Sequence, residues 1–141
     1  MKTTNPLRLA LFVGAAAIAS LGHAQATAPA TAALPAGISR TDLARHDLAA
    51  AGHELIQVRV DFAPGAYAPG HTHPGEEVAY VLEGVLEYRL EGRPPVTLRA
   101  GETLFIPAGA VHSARNLGGD RASELATYIV RKGEPLLTPA E

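Results

Sequence analysis

Residues 69–80 read PGHTHPGEEVAY. Two of the chain's six histidines stand two apart there, at His71 and His73, and a pair of carboxylates follows at Glu76 and Glu77. On an extended strand, residues two apart point to the same face. Both imidazoles therefore face one way and Thr72 the other. Pro74-Gly75 turns the chain, and Glu77 then opens the apolar stretch VAYVL, sharing a face with Ala79 and Val81 while Val78, Tyr80 and Leu82 face opposite. Much later, His112 follows the turn Pro107-Ala108-Gly109. Pointed inward, it completes a set of three imidazoles and one carboxylate. Such groups are costly to bury unless something uses their lone pairs. Imidazole nitrogen with carboxylate oxygen suits one divalent ion of Fe, Mn, Ni, Co, Cu or Zn. Four protein ligands on an octahedral ion leave two positions for water, substrate or dioxygen.

The elements that must position these residues read as β. In HELIQVRVDF, Ile56, Val58, Val60 and Phe62 alternate with Gln57, Arg59 and Asp61, the period of a half-buried strand. The pattern returns in VAYVLEG, LEYRL, PVTLRAG, TLFIP, AVHSARN and ELATYIV, with Gly or Pro at nearly every junction. Short strands at regular spacing with such turns predict a small all-β antiparallel barrel. One short helix is expected within ISRTDLARHDLA, capped by Ser39 or Thr41. His46 and His53 read as ordinary hydrogen-bonded residues.

At these residues the chain resembles a cupin. Gly65, His71, His73, Glu77 and Gly84 stand at the spacing of that family's first signature, and Gly101, Pro107, Gly109, His112 and Asn116 at that of the second. All ten defined positions match, and 16 residues separate the two signatures. The resemblance covers about residues 53–131 and implies a conical jelly roll. It selects Glu77, not Glu76, and implies that His71, His73, Glu77 and His112 bind one divalent metal. The glycines and Pro107 are the expected turn-makers. Tyr67 shares strand parity with His71 and His73, and it and Tyr88 are candidate contacts near the site, although both fit as plain barrel residues. Tyr80 and Phe105 read as packing residues, Arg115 as surface, and Asn116 as a structural hydrogen-bonder.

The 141 residues suffice for one domain. Lys2 and Arg8, an apolar run from Leu9 to Leu21, and small residues around Gly22, Ala24 and Ala26 follow the pattern of a secretory signal peptide. The expected organisation is a signal peptide over 1–26, a flexible Ala/Pro/Thr leader over 27–40, a barrel over 41–135 and a tail over 136–141. Zero cysteines exclude disulfides, thiolate ligands, a cysteine nucleophile and a lipoprotein anchor. With no Arg-Arg pair before the apolar run, export through the general secretory route to the periplasm is expected, without membrane insertion after cleavage. Losing the two basic residues of the signal peptide takes the formal charge from −2 to −4. Singly scattered Arg residues make no nucleic-acid footprint.

The function expected is that of a metal-dependent dioxygenase acting on a small enol or phenol, similar to the single-domain cupins described as quercetin-dioxygenase-like, with Glu77 as the base. The alternatives are a non-redox lyase, isomerase or decarboxylase using the ion as a Lewis acid, and a binding protein for a metal or metabolite. Zn(II) and Cu(II), strong binders of N/O ligands, favour the non-redox reading for a protein that folds outside the cytoplasm. Val78, Tyr80 and Leu82 form an outward apolar stripe that predicts a homodimer.

Overall fold

The computed structural model describes residues 33–140. The expected signal peptide lies outside them, as does the first part of the leader. Ten strands follow in order: β1 (Ile38–Asp47), β2 (His53–Phe62), β3 (Tyr67–Thr72), β4 (Gly75–Glu83), β5 (Val85–Leu90), β6 (Val96–Arg99), β7 (Thr103–Ile106), β8 (His112–Asn116), β9 (Ala122–Arg131) and β10 (Thr138–Pro139). They form two five-stranded antiparallel sheets, ordered β1-β2-β9-β4-β7 and β10-β3-β8-β5-β6. Non-consecutive strands lie side by side in both, the arrangement of a jelly roll.

The helix expected within ISRTDLARHDLA is instead β1, which pairs with β2 from Ile38↔Phe62 to Asp47↔Glu54. A helix of that length is marginal in water, and the exposed edge of β2 offers it a row of unpaired backbone groups. The helix-favouring centre of the segment survives as a bulge between Asp42 and Ala44, with Leu43 turned to solvent.

Alternation along the strands builds the interior. From β4 it takes Glu77, Ala79 and Val81; from β9, Ala122, Glu124, Ala126, Tyr128 and Val130; and from β5, Leu86, Tyr88 and Leu90. Phe62, Ile106 and Leu98 join Ala79, Val81, Leu86 and Tyr88 in one buried cluster, and Ile56 and Val58 pack against Ala126, Tyr128 and Val130. Asn116 ties the far rim together. Its Nδ2 donates to the carbonyls of Phe62, Ala63 and Asp120 at 2.8–3.1 Å, and its Oδ1 accepts from the Gly118 amide. That is the structural role expected of it.

Two glycines shape the backbone near the histidines. Gly109 has φ +70°, a left-handed conformation that side chains disfavour. Its amide donates to the His73 carbonyl at 3.1 Å, pinning that corner. Gly75 sits opposite Val130, where an added Cβ would lie 2.0 Å from the Ile129 carbonyl oxygen. Only a residue without a side chain lets β9 pass so close.

Candidate metal centre

His71 and His112 are direct partners across the β3–β8 ladder, and His73 follows the end of β3. The three rings converge on the inside of the barrel, with centroids 4.3–5.1 Å apart. One nitrogen from each lies within 4.8 Å of those of the other two, a geometry able to hold a metal ion. His73 and His112 are buried; His71, half-buried, stands nearest solvent and marks the mouth.

Each ring is oriented from behind. Nδ1 of His71 lies 2.7 Å from the Pro69 carbonyl, Nδ1 of His112 lies 2.9 Å from the Ala110 carbonyl, and Nδ1 of His73 lies 2.5 Å from the Leu136 carbonyl. A carbonyl can only accept, so Nδ1 carries the proton in each ring, and Nε2 is left with its lone pair in the neutral imidazole. This is the tautomer that a carbonyl-backed metal ligand needs.

Glu77 completes the cluster from the other sheet. Its Oε2 lies 3.1 Å from His73 Nε2 and 3.3 Å from His112 Nε2. The approach to His73 lacks hydrogen-bond geometry, and both His73 Nε2 and Glu77 Oε2 are buried without a hydrogen-bonding partner. Unpaired buried lone pairs pointing at a common place require a partner, and a cation satisfies all of them together. The donor set, nitrogen and oxygen with no sulfur, fits a divalent ion of the kinds named above.

The electrostatics agree. Burial pushes the Glu77 carboxyl up, but His112 and His73 beside it more than offset this and hold it down at about 2. Burial lowers His71 to about 4, with His112 and His73 adding repulsion. Burial also pulls His112 down, yet the Glu77 carboxylate and the Ala110 carbonyl outweigh it and leave the net shift upward. At neutral pH the cluster therefore holds an ionised carboxylate beside at least one neutral imidazole.

Several residues fall elsewhere than their spacing suggests. A bulge between Ala68 and His71 breaks the parity of β3, so Tyr67 turns outward, where the Arg115 guanidinium lies 4.8 Å from its ring centroid. It is not at the centre. Arg115 is exposed, as expected, whereas Tyr80 and Phe105, read as packing residues, are exposed on the outer face. Ala79 and Ala114 are buried in the same cluster as Tyr88. Below the histidines the barrel is filled.

Three further residues went unread. Tyr128 is the cross-strand neighbour of Glu77 and packs its ring 4.7 Å from that of His73. Glu124, buried on β9, accepts a hydrogen bond from the Tyr88 hydroxyl. Burial and the nearby Glu77 charge push Glu124 up to about 8, only partly opposed by the Tyr88 hydrogen bond, while burial and Glu124 raise the Tyr88 phenol far above its usual value. A carboxyl at the inward parity of Ala126 and Tyr128 was the available signal. The third, Leu136, contributes only a carbonyl, for which residue type gives no signal.

A protein-family profile described as a cupin domain matches residues 58–128, half of the chain. Among curated proteins, the chain is 41% identical over 75 residues to germin-like protein subfamily 2 member 2 of Arabidopsis thaliana, covering 50% of this chain and 34% of that one. It is 43% identical over 65 residues to the dimethylsulfoniopropionate lyase DddQ of Ruegeria pomeroyi, covering 46% and 32%. The chain thus spans about a third of the length of these relatives. A solved recombinant oxalate oxidase in complex with glycolate superposes with a TM-score of 0.59 at 30% identity, covering 73% of this chain and 55% of that one. With the two-sheet barrel and the inward histidines, the match over residues 58–128 settles the family: the chain belongs to the cupins.

Proposed function

We propose that the protein binds one divalent metal ion through Nε2 of His71, His73 and His112 and the Glu77 carboxylate, and that it is a mononuclear metal-dependent dioxygenase acting on a small enol or phenol. The observation that carries this reading is the pair of buried, unpartnered atoms His73 Nε2 and Glu77 Oε2 beside two more convergent imidazoles. The bound ion supplies Lewis acidity and, when redox-active, an electron path between substrate and dioxygen. The protein's own groups do the rest. Nδ1–H bonds to three carbonyls fix the rings. Tyr128 and the filled layer around Tyr88, Ala79 and Ala114 keep water from beneath the site. Glu77 accepts the proton of the substrate hydroxyl. A carboxylate is a weak base, so it would take that proton only if the ion, when bound, acidified the hydroxyl.

The similarity to a lyase gives the second reading its support: proton abstraction and bond cleavage at the same centre with no oxidant, for which Zn(II) suffices. Oxygen uptake separates the two. Protein loaded in turn with Fe(II), Mn(II), Ni(II), Cu(II) and Zn(II) is assayed over a panel of enols and phenols. The dioxygenase reading expects consumption with a redox metal and none with zinc. No consumption with any metal contradicts it, and turnover with zinc in the absence of oxygen selects the lyase.

Two further features belong to this reading. Export to the periplasm rests on the leader pattern of residues 1–26. Among the described residues, no helix is long and apolar enough to cross a membrane. The exposed Val78, Tyr80, Leu82, Phe105 and Ile129 lie on one face of the sheet containing β4, and support a homodimer formed there. Light scattering at micromolar concentration tests it; a monomer overturns it.

A further inference from the structure

The three histidines are backed unequally. His71 and His112 each donate to the carbonyl two residues before them, on their own segment. His73 donates to Leu136, which lies 63 residues further along the chain. Its orientation therefore depends on whether the C-terminal segment is docked.

That docking is slight. Past the turn at Gly133, the described segment is held by the half-buried Leu136 side chain, which packs against the cluster of Ile56, Val58 and Tyr128. Two residue pairs, Thr138↔Thr72 and Pro139↔His71, add β10 to the edge of β3, and the Ala140 amide donates to the Gly70 carbonyl at 2.9 Å. The surrounding Glu134, Pro135 and Leu137 are exposed. So few contacts place the segment at the low end of local stability. The residues it grips, Gly70 to Thr72 and the ring of His73, are those that present two of the imidazoles.

We propose that residues Leu136–Ala140 are a positioning clasp for the metal centre, in which the Leu136 carbonyl sets the ring of His73 so that docking of the segment and binding of the cation strengthen each other. The inference rests on the metal-centre reading above. With the clasp released, His73 loses the acceptor for Nδ1–H, and its ring is free to rotate or to move the proton to Nε2, where it would block a cation. By linkage, a cation that requires the ordered ring must stabilise the docked segment by the same factor. Loss of a carbonyl behind a ligating histidine typically weakens metal affinity by about 10–100-fold.

The test compares the full chain with a chain ending at Glu134, and with the variant Ala140→Pro. The variant removes the amide that bonds Gly70 without altering a ligand or Leu136, so it serves if the shortened chain does not fold. Zn(II) affinity is measured by competition with a chromophoric chelator, and amide exchange at Ala140 in the full chain is followed with and without zinc. The clasp expects affinity lower by about 10–100-fold in the shortened chain, a smaller loss in Ala140→Pro, and slower exchange at Ala140 when zinc is bound. Equal affinity in a folded shortened chain and in Ala140→Pro, or exchange at Ala140 indifferent to zinc, overturns the clasp alone. A full chain that binds no zinc or other divalent ion overturns the metal-centre reading and the clasp with it.

Discussion

The Tyr88 hydroxyl, on one sheet, donates a hydrogen bond to Oε2 of the Glu124 carboxyl on the other, so two buried polar groups satisfy each other across the barrel interior. Tyr88 is the cross-strand partner of Ala114, two residues along β8 from His112. The pair therefore forms the floor beneath the histidines. Its energetics follow from what is left when one member is removed.

Replacing Tyr88 by Phe strands a buried carboxyl, and is expected to destabilise the protein by about 1–3 kcal/mol. Adding Glu124→Leu removes the stranded group and should restore much of that loss. Urea titration of the two single variants and the double variant checks this. Additive losses would show that the two residues act independently.

The pH dependence of the metal-free protein follows from four shifted groups. Glu124 is raised from 4.5 to about 8. Between those values the unfolded chain has lost a proton that the folded chain keeps, so stability falls as pH rises, by up to about 1.4 kcal/mol per unit. His71, lowered from 6.5 to about 4, acts in the opposite direction, since there the unfolded chain takes up a proton that the folded one refuses. The two oppose each other from 4.5 to 6.5, and the decline becomes visible from 6.5 to about 8, with the raised His112 adding to it. Glu77, lowered to about 2, contributes a separate loss below 4.5. Denaturation across pH after chelation should show a shallower alkaline decline in Glu124→Gln than in the parent. An unchanged slope would remove Glu124 from the account.

Gly75→Ala places a Cβ where the Ile129 carbonyl stands, 2.0 Å away. Backbone must move for it to fit, and β4 and β9 are both central strands. A loss of about 3 kcal/mol is expected, with weaker metal binding as Glu77 shifts on the same strand. A fully stable Gly75→Ala protein would show that the two strands are less closely apposed.

Glu77→Gln keeps the shape and removes the charge. A base at this position predicts turnover lower by about 100-fold or more, alongside weaker metal affinity. Rates compared at saturating metal separate the two effects. Full activity at saturation would assign Glu77 to metal holding alone.

Much of the architecture was legible because it rests on alternation. The inward set Ile56, Val58, Ala79, Val81 and Phe62 follows from period two, and the shared face of His71 and His73 from their spacing, while the place of His112 beside them was legible through the resemblance to the cupin signatures. What escaped depended on tertiary context. Segment 38–47 carries no strong strand pattern and becomes β1 because β2 offers it an edge. Tyr67 was misplaced because a bulge, invisible in parity counting, intervenes before His71. Glu124 takes its role from Tyr88, which reaches it from the other sheet and stands 36 residues away in the chain. Leu136 acts through its backbone, which every residue shares.

The central claim is a metal ion held by His71, His73, His112 and Glu77. It is tested most directly by elemental analysis of the protein isolated without added metal, beside the His71→Ala/His112→Ala double variant checked for folding. About one equivalent of a divalent metal is expected in the parent, and loss of that metal in the folded double variant. Metal absent from both, or retained equally by both, would contradict it.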